Sequence, residues 1–348
     1  MDFPQAVSLT ITNHCNLRCQ MCGQWSQEGY IRSNTEVLKH ELQLADWKRL
    51  VDEIAAHGVP AVLLRGGEVF MFPGIADLLE YIHEKGMFIS IDTNGTMLDQ
   101  FAELLVRLGM IHLTISVDGP EMMHDAVRGV PGTFLRLKRG VAKIAELEKS
   151  SENKISRSIC FTISQYNYRS LGQMPEVARS LGLGSIAIVP YYYFPEAVGR
   201  QYEQELRALG CQAYSWVGFH HEDSGVDFAE FRQQLKQYQA SLGEVYSYPY
   251  MALSEAEYQA WFADTQMQVG PRHCQNVEKL IDIQPDGSAN FCVDFIDYSF
   301  GNVKEASIAE LWNGERAERF RQARRQNPLA VCGRCGAKFM SQQWSDYG

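Results

Sequence analysis

The chain has 348 residues, 45% of them hydrophobic and 21% charged, with a formal net charge of −10. That length suits one large domain plus a smaller one in a soluble globular protein, and the acidic balance excludes the basic footprint of a nucleic-acid binder. No run reaches the roughly 20 apolar residues of a membrane helix. The first residues carry no signal peptide, so a cytoplasmic setting is expected, in which the nine cysteines are reduced and serve as metal ligands or catalytic groups.

In chain order, short β-rich runs alternate with amphipathic helical patterns. Residues 7–12, 61–64, 88–92, 112–117, 158–164 and 185–189 are rich in Ile, Val and Phe, as buried parallel strands are. Between them, Leu44, Trp47, Leu50, Val51 and Ile54 follow helical spacing and stop at Gly58; Ile75, Leu78, Leu79 and Ile82 repeat it before Gly86; Leu98, Phe101, Leu104, Leu105 and Leu108 end at Gly109. Further helices are predicted over residues 134–149, 169–180 and 228–242. Six β/α units in a row give an open doubly wound sheet or a barrel, and either places its site at the C-terminal ends of the strands. Residues 190–227 are aromatic and irregular. A new unit starts near Pro271, with a hairpin over residues 284–292 turning at Asp286–Gly287, and a helix over 308–322. The Arg-rich stretch Arg316, Arg319, Arg321, Arg324 and Arg325, interleaved with Glu315 and Glu318, reads as a solvated helix face.

Cys15, Cys19 and Cys22 follow the first strand in one short loop. Thiolates at this spacing suit an iron–sulfur cluster, and three of them leave one iron of a four-iron cube open to a small chelating ligand. A zinc knuckle is the alternative, with His14 an awkward fourth ligand because it adjoins Cys15. Polar motifs close the next strands: Arg65-Gly66-Gly67-Glu68, Asp92-Thr93-Asn94-Gly95, and Ser116-Val117-Asp118-Gly119, followed by Arg128-Gly129. Cys274, Cys292, Cys332 and Cys335 then offer four thiolates, enough to ligate a second [4Fe–4S] cluster fully or to form a zinc ribbon.

The Cys-x3-Cys-x2-Cys loop with one polar motif per strand end resembles the radical S-adenosylmethionine (SAM) superfamily over about residues 7–190. Met21 stands where the family often has an aromatic residue. The resemblance implies a partial (β/α)6 barrel over residues 1–195 and a [4Fe–4S] cluster held by Cys15, Cys19 and Cys22. It implies SAM contacts from Gly66, Gly67, Glu68, Asp92, Thr93, Asn94, Ser116, Asp118 and Val189, with Arg128 pairing with the methionine carboxylate. Residues 271–348 resemble the SPASM/twitch extension in a single-cluster version. Cys274, Cys292, Cys332 and Cys335 would hold the auxiliary cluster there, after a bridging segment at 196–270. A reductant such as flavodoxin or ferredoxin, a small-molecule or peptide substrate, and neither nucleic acid nor membrane are the expected partners. Nothing precedes the first strand, so a built-in leader-peptide recognition domain is not expected.

The remaining candidates have alternative readings. Cys160, between Ile159 and Phe161, reads as packing. Cys211 is a candidate hydrogen-atom donor or an inert thiol, and Asp294 is a candidate base beside the second cluster. Tyr191, Tyr192, Tyr193 and Phe194 can stack on a substrate or pack on the C-terminal unit, and His220, His221, Glu222 and Asp223 form a polar loop. A fully ligated second cluster points to net oxidation, by dehydrogenation or cross-linking. The competing readings are a redox-neutral epimerisation or rearrangement with a cysteine donor, and a non-catalytic iron–sulfur or zinc protein.

Overall fold

The computed structural model describes residues 2–264 and 267–342; residues 343–348 of the C-terminal unit lie outside them. The strands are β1 (Ala6–Thr12), β2 (Ala61–Gly66), β3 (Phe88–Thr93), β4 (Ile111–Ser116), β5 (Ser156–Ile163), β6 (Ser185–Pro190), β7 (Tyr246–Tyr248), β8 (Leu280–Ile283), β9 (Ser288–Asn290) and β10 (Gly301–Asn302). They form one sheet in the order β10-β9-β8-β1-β2-β3-β4-β5-β6-β7. The pairs from β8 through β1 to β7 are parallel; β8–β9 and β9–β10 are antiparallel.

Strand order decides between the two architectures left open by the sequence. A doubly wound sheet reverses its order at a switch point. Here β1 to β6 run without reversal, so right-handed crossovers lay every helix on one face and the sheet curls into a partial barrel. The strands alternate accordingly. Leu9, Leu64, Ile91, Leu113, Phe161 and Ile186 are fully buried towards the helices. That layer receives Trp47, Leu50, Val51 and Ile54 of helix Leu44–Ala56 and Ile75, Leu78, Leu79 and Ile82 of helix Ile75–Glu84.

Most of the alternate positions are polar and face the inside of the curl. Thr10 donates to Asp282 across β1 and β8 at 3.3 Å, and His112 of β4 bonds Ser158 of β5 at 3.0 Å. Cys160 shares this face with Thr162, so it is not the packing residue that its apolar neighbours suggested: Ile159 and Phe161 point the other way, at full burial.

Several elements differ from the sequence reading. The irregular stretch after β6 contains helix Glu196–Ala208, which buries Val198, Tyr202 and Leu206 at four-residue spacing. The helix expected over 169–180 starts as a 3-10 turn, Tyr168–Gln173, and becomes α-helical only from Met174, where Pro175 sits, because proline is tolerated only in the first helical turn. The helix expected over 308–322 is two, Ile308–Trp312 and Glu315–Gln326, broken at Asn313–Gly314. On the second, Arg321 and Arg324 are 7% and 6% exposed, so that face is not solvated. The hairpin forms as expected, with Gly287 at φ +91°. Among the described residues no helix is long and apolar enough to cross a membrane.

Candidate functional site

The loop after β1 is held from three sides. Gly67 N–H donates to the Thr12 carbonyl and Glu68 N–H to that of His14, both at 2.8 Å; Arg18 N–H and Gln20 N–H donate to the carbonyls of Arg128 and Val127. The Thr12 hydroxyl donates to Glu41 at 2.7 Å, and the Trp25 indole donates to the Asn13 carbonyl at 2.8 Å. The glycines are required by this docking. A Cβ on Gly66 would lie 2.3 Å from the Thr12 oxygen, and one on Gly67 2.3 Å from that of His14.

Each sulfur of the loop has an N–H facing it: Leu17 N–H on Cys15 at 3.5 Å, Trp25 N–H on Cys22 at 3.3 Å, and the Arg128 guanidinium on Cys19 at 3.6 Å. Those donors do not by themselves make thiolates. Burial, then repulsion from the neighbouring thiols, pushes Cys15 up to about 12. Burial and Cys19 push Cys22 up to about 11, and burial raises Cys19. Three crowded soft donors, preoriented by N–H groups but needing a cation to ionise, fit a metal cluster. Such a site would use Cys15, Cys19 and Cys22.

A cavity of about 290 Å³ opens beside these sulfurs. Of the residues expected to contact SAM, Gly66, Gly67, Asp92, Thr93, Asn94, Ser116 and Arg128 line it. Glu68, Asp118 and Val189 do not. Glu68, 1% exposed, accepts from the Thr93 hydroxyl at 2.7 Å and Asn94 N–H at 2.8 Å, clamping the ends of β2 and β3 together. Asp118, fully buried, pairs with Arg128 at 2.6 Å. It aims the guanidinium at the sulfurs and the cavity, and its own N–H donates to His124 Nδ1 at 3.2 Å. Burial and then Arg128 push His124 down to about 3, so it stays neutral and puts no second positive charge beside the arginine. Val189 lies beside Thr162 in the β5–β6 register, and Thr162 reaches the cavity in its place.

Arg65 and Asp294 were not expected to meet. They do, at 3.1 Å, with side chains 23% and 19% exposed. Asp92 lies in the same field: burial raises its pKa and Arg65 lowers it.

Cys274, Cys292, Cys332 and Cys335 come together from distant segments around one small cavity of about 30 Å³. Arg334, buried between the last two, holds their turn against helix Glu255–Ala263 through the carbonyls of Trp261 and Ala260, each at 3.0 Å, and that of Met267 at 2.9 Å. Nothing in its spacing announced this brace. Burial, then the other thiols, raises Cys292 and Cys335 far above the thiol range, the same need for a cationic guest as in the first site. The two cavities share a wall: Val293 and Asp294, the residues that follow Cys292, line both.

The aromatic segment after β6 packs rather than stacks. Phe194, Tyr202 and Phe219 surround Phe295, three residues past Cys292, and the Tyr193 hydroxyl donates to the Trp261 carbonyl at 2.6 Å. Of these rings only Phe219 lines the larger cavity. His220 and Glu222 pair at 3.1 Å in a partly exposed loop. Cys211 is not brought to the cavity; its sulfur accepts from Arg316 at 3.6 Å.

Residues 9–159 match the family model of the radical SAM superfamily, and residues 274–336 match that of SPASM, an iron–sulfur cluster-binding domain. Fe-coproporphyrin III synthase of Methanosarcina barkeri is 25% identical over 96% of this chain and 81% of its own. The sporulation killing factor maturation protein SkfB of Bacillus subtilis is 29% identical over 51% of this chain and 40% of its own. The crystal structure of Streptococcus suis SuiB, 13% identical, superposes with a TM-score of 0.64 over 96% of this chain and 72% of that one, a likeness of fold.

Proposed function

We propose that this chain, which belongs to the radical SAM superfamily and carries a SPASM iron–sulfur cluster-binding domain, removes a hydrogen atom from an unactivated substrate C–H bond with net oxidation of the substrate. Its cofactors are SAM and two [4Fe–4S] clusters. The observation that carries the oxidative reading is the shared wall, Val293 and Asp294, which lines both cysteine-lined cavities and offers an electron leaving the substrate a segment to cross. When bound, the first cluster and SAM supply a 5′-deoxyadenosyl radical, and the auxiliary cluster supplies an electron acceptor.

The protein's part is to hold, orient and exclude water. Cys15, Cys19 and Cys22 would hold the first cluster, and Arg128, aimed by Asp118, would hold the methionine carboxylate in a charge-assisted pair. Gly66 and Gly67 supply close backbone approach; Asp92, Thr93, Asn94 and Ser116 supply polar contacts. Glu68 acts through the β3 end it clamps. Cys274, Cys292, Cys332 and Cys335 would hold the second cluster. Oxidation also releases a proton, and Asp294, in the wall and beside Arg65, is placed to accept it.

A small molecule is the substrate class favoured here, ahead of a peptide. Support comes from the span of the likenesses: relatives named for haem and coproporphyrin synthesis match over 95–96% of this chain, those named for sporulation killing factor maturation and for bacteriocin subtilosin biosynthesis over 51–52%. Flavodoxin or ferredoxin would deliver the reducing electron. The test is anaerobic incubation of the reduced, reconstituted protein with SAM: 5′-deoxyadenosine and methionine are expected, and their absence from a fully loaded protein would refute the reading.

One observation favours a second outcome. Cys160 does not itself line the cavity but shares the inner face of its strand with Thr162, which does, and a thiol that reached the substrate from there could return a hydrogen atom in a redox-neutral reaction. Cys160→Ala separates the two. The oxidative reading expects product to persist; loss of product with 5′-deoxyadenosine still formed would favour the redox-neutral one.

A further inference from the structure

The outer side of the first cysteine loop is cationic, although the chain as a whole carries −10. Arg18, between Cys15 and Cys19, is exposed, and its guanidinium is fixed in place. It donates to the carbonyls of Leu17 at 2.6 Å and Cys15 at 2.9 Å and lies over the Trp25 ring at 4.3 Å. Trp25 in turn lines the larger cavity, and its N–H faces the Cys22 sulfur. Arg18 thus stands on the solvent side of a residue that touches the thiols. Its own N–H donates to the Arg128 carbonyl at 3.1 Å, and a Cβ on Gly129 would lie 2.5 Å from the Arg18 carbonyl oxygen. Helix Thr133–Leu147 begins four residues after that contact. In its first turn Arg136 donates to the Thr133 hydroxyl at 3.3 Å, and that hydroxyl donates to the Val130 carbonyl at 2.6 Å. Lys138 is exposed one turn past Leu135, itself 53% exposed. Residues 13–34 and 129–145 together hold six Lys and Arg side chains against one carboxylate, Glu28. Two of the six, Arg139 and Lys143, pair with Asp99 and Glu103 at 2.9 and 3.1 Å. Asp125 is turned inward onto the N–H groups of Gly132 and Phe134, and Glu121 opens the other end of its helix.

We propose that the face carrying Arg18, Arg136 and Lys138 is where an acidic one-electron carrier protein docks to reduce the first cluster. The inference rests on the SAM-cleaving reading above. The carrier loses one electron, the cluster gains it, and no bond forms or breaks. Complementary charge at a rim steers the encounter and fixes its orientation, which suits the small, transient interfaces of redox partners. The chain's overall negative charge repels such a carrier elsewhere, so the cationic face directs it to the loop that holds the thiols.

The test is anaerobic calorimetric titration of the reconstituted full chain with an oxidised, acidic flavodoxin, at about 0.1 M and about 1 M salt, where the screening length is about 10 and 3 Å. Arg136→Glu/Lys138→Glu is expected to bind about tenfold more weakly than wild type at the lower salt, and the difference is expected to vanish at the higher. Lys138→Glu alone is expected to show part of that loss. Lys236→Glu, the same charge change on helix Phe228–Ser241, is expected to show none. Carbodiimide coupling is expected to join flavodoxin carboxylates to Lys138. SAM cleavage driven by dithionite, which needs no docking, is expected to be unchanged in every variant. No binding by wild type, equal binding by wild type and the double variant, or an equal loss in Lys236→Glu would overturn the proposal. So would binding that is no weaker at the higher salt. If the double variant does not load iron, Lys138→Glu decides by the same criteria. Loaded wild type that fails to cleave SAM with dithionite would instead overturn the reading beneath it.

Discussion

Asp118→Asn tests how the cavity obtains a buried arginine. The substitution keeps the side chain's shape and removes its charge. Asp118 is fully buried, Arg128 is 8% exposed, and the two meet at 2.6 Å. Removing one partner of such a pair leaves an uncompensated buried charge, at a cost of about 3–5 kcal/mol. For a chain of 348 residues the unfolding entropy near the midpoint is about 0.7 kcal/mol/K, so Tm is expected to fall by about 4–7 °C. Asp118→Leu with Arg128→Met removes both charges and is expected to melt closer to wild type than the single variant. SAM affinity, measured by equilibrium dialysis on the anaerobic protein, is expected to drop in both, since neither presents a correctly aimed guanidinium. A single variant that melts with wild type, or a double variant that loses more than the single, would refute the reasoning.

Asp282 offers a pH signature. Burial raises its folded pKa to about 6, against about 3.9 unfolded. The folded state therefore binds the proton more tightly, and stability falls as pH rises between about 4 and 6. From pH 5 to 8 this amounts to about 1.4 kcal/mol, to be read as the loss of that slope in chemical denaturation of Asp282→Asn; an unchanged slope would contradict it. Gly67→Ala drives a methyl group against the His14 and Asn13 carbonyls at 2.3 and 2.7 Å. It is expected to cost about 1–3 kcal/mol and to lower iron loading of the first site, whereas Gly184→Ala, with nothing within 4 Å, does neither in the same melting and iron assays.

The first cysteine loop was legible because its three cysteines lie close together in sequence, and the strand-end motifs because each follows a hydrophobic run. What stayed hidden depends on partners far apart in the chain. Asp118 reads as a cavity contact until its carboxylate is seen turned to Arg128, and Glu68 until it is seen clamping Thr93 and Asn94. Arg324 reads as one of several solvated arginines until the helix face it occupies is seen against the cysteines. Cys160 was misjudged because its neighbours are apolar, although a strand sends alternate residues to opposite faces. Helix Glu255–Ala263 was missed despite a local signal, the capping box of Ser254 and Glu257. Strands β7 and β8, three and four residues long, are too short to carry a period.

The central claim is two iron–sulfur sites on one chain, and metal content tests it most directly. Anaerobically reconstituted wild type is expected to hold about eight irons and eight sulfides, falling to about four of each in Cys332→Ala/Cys335→Ala. Zinc in the wild type, or about four irons in both proteins, would contradict it.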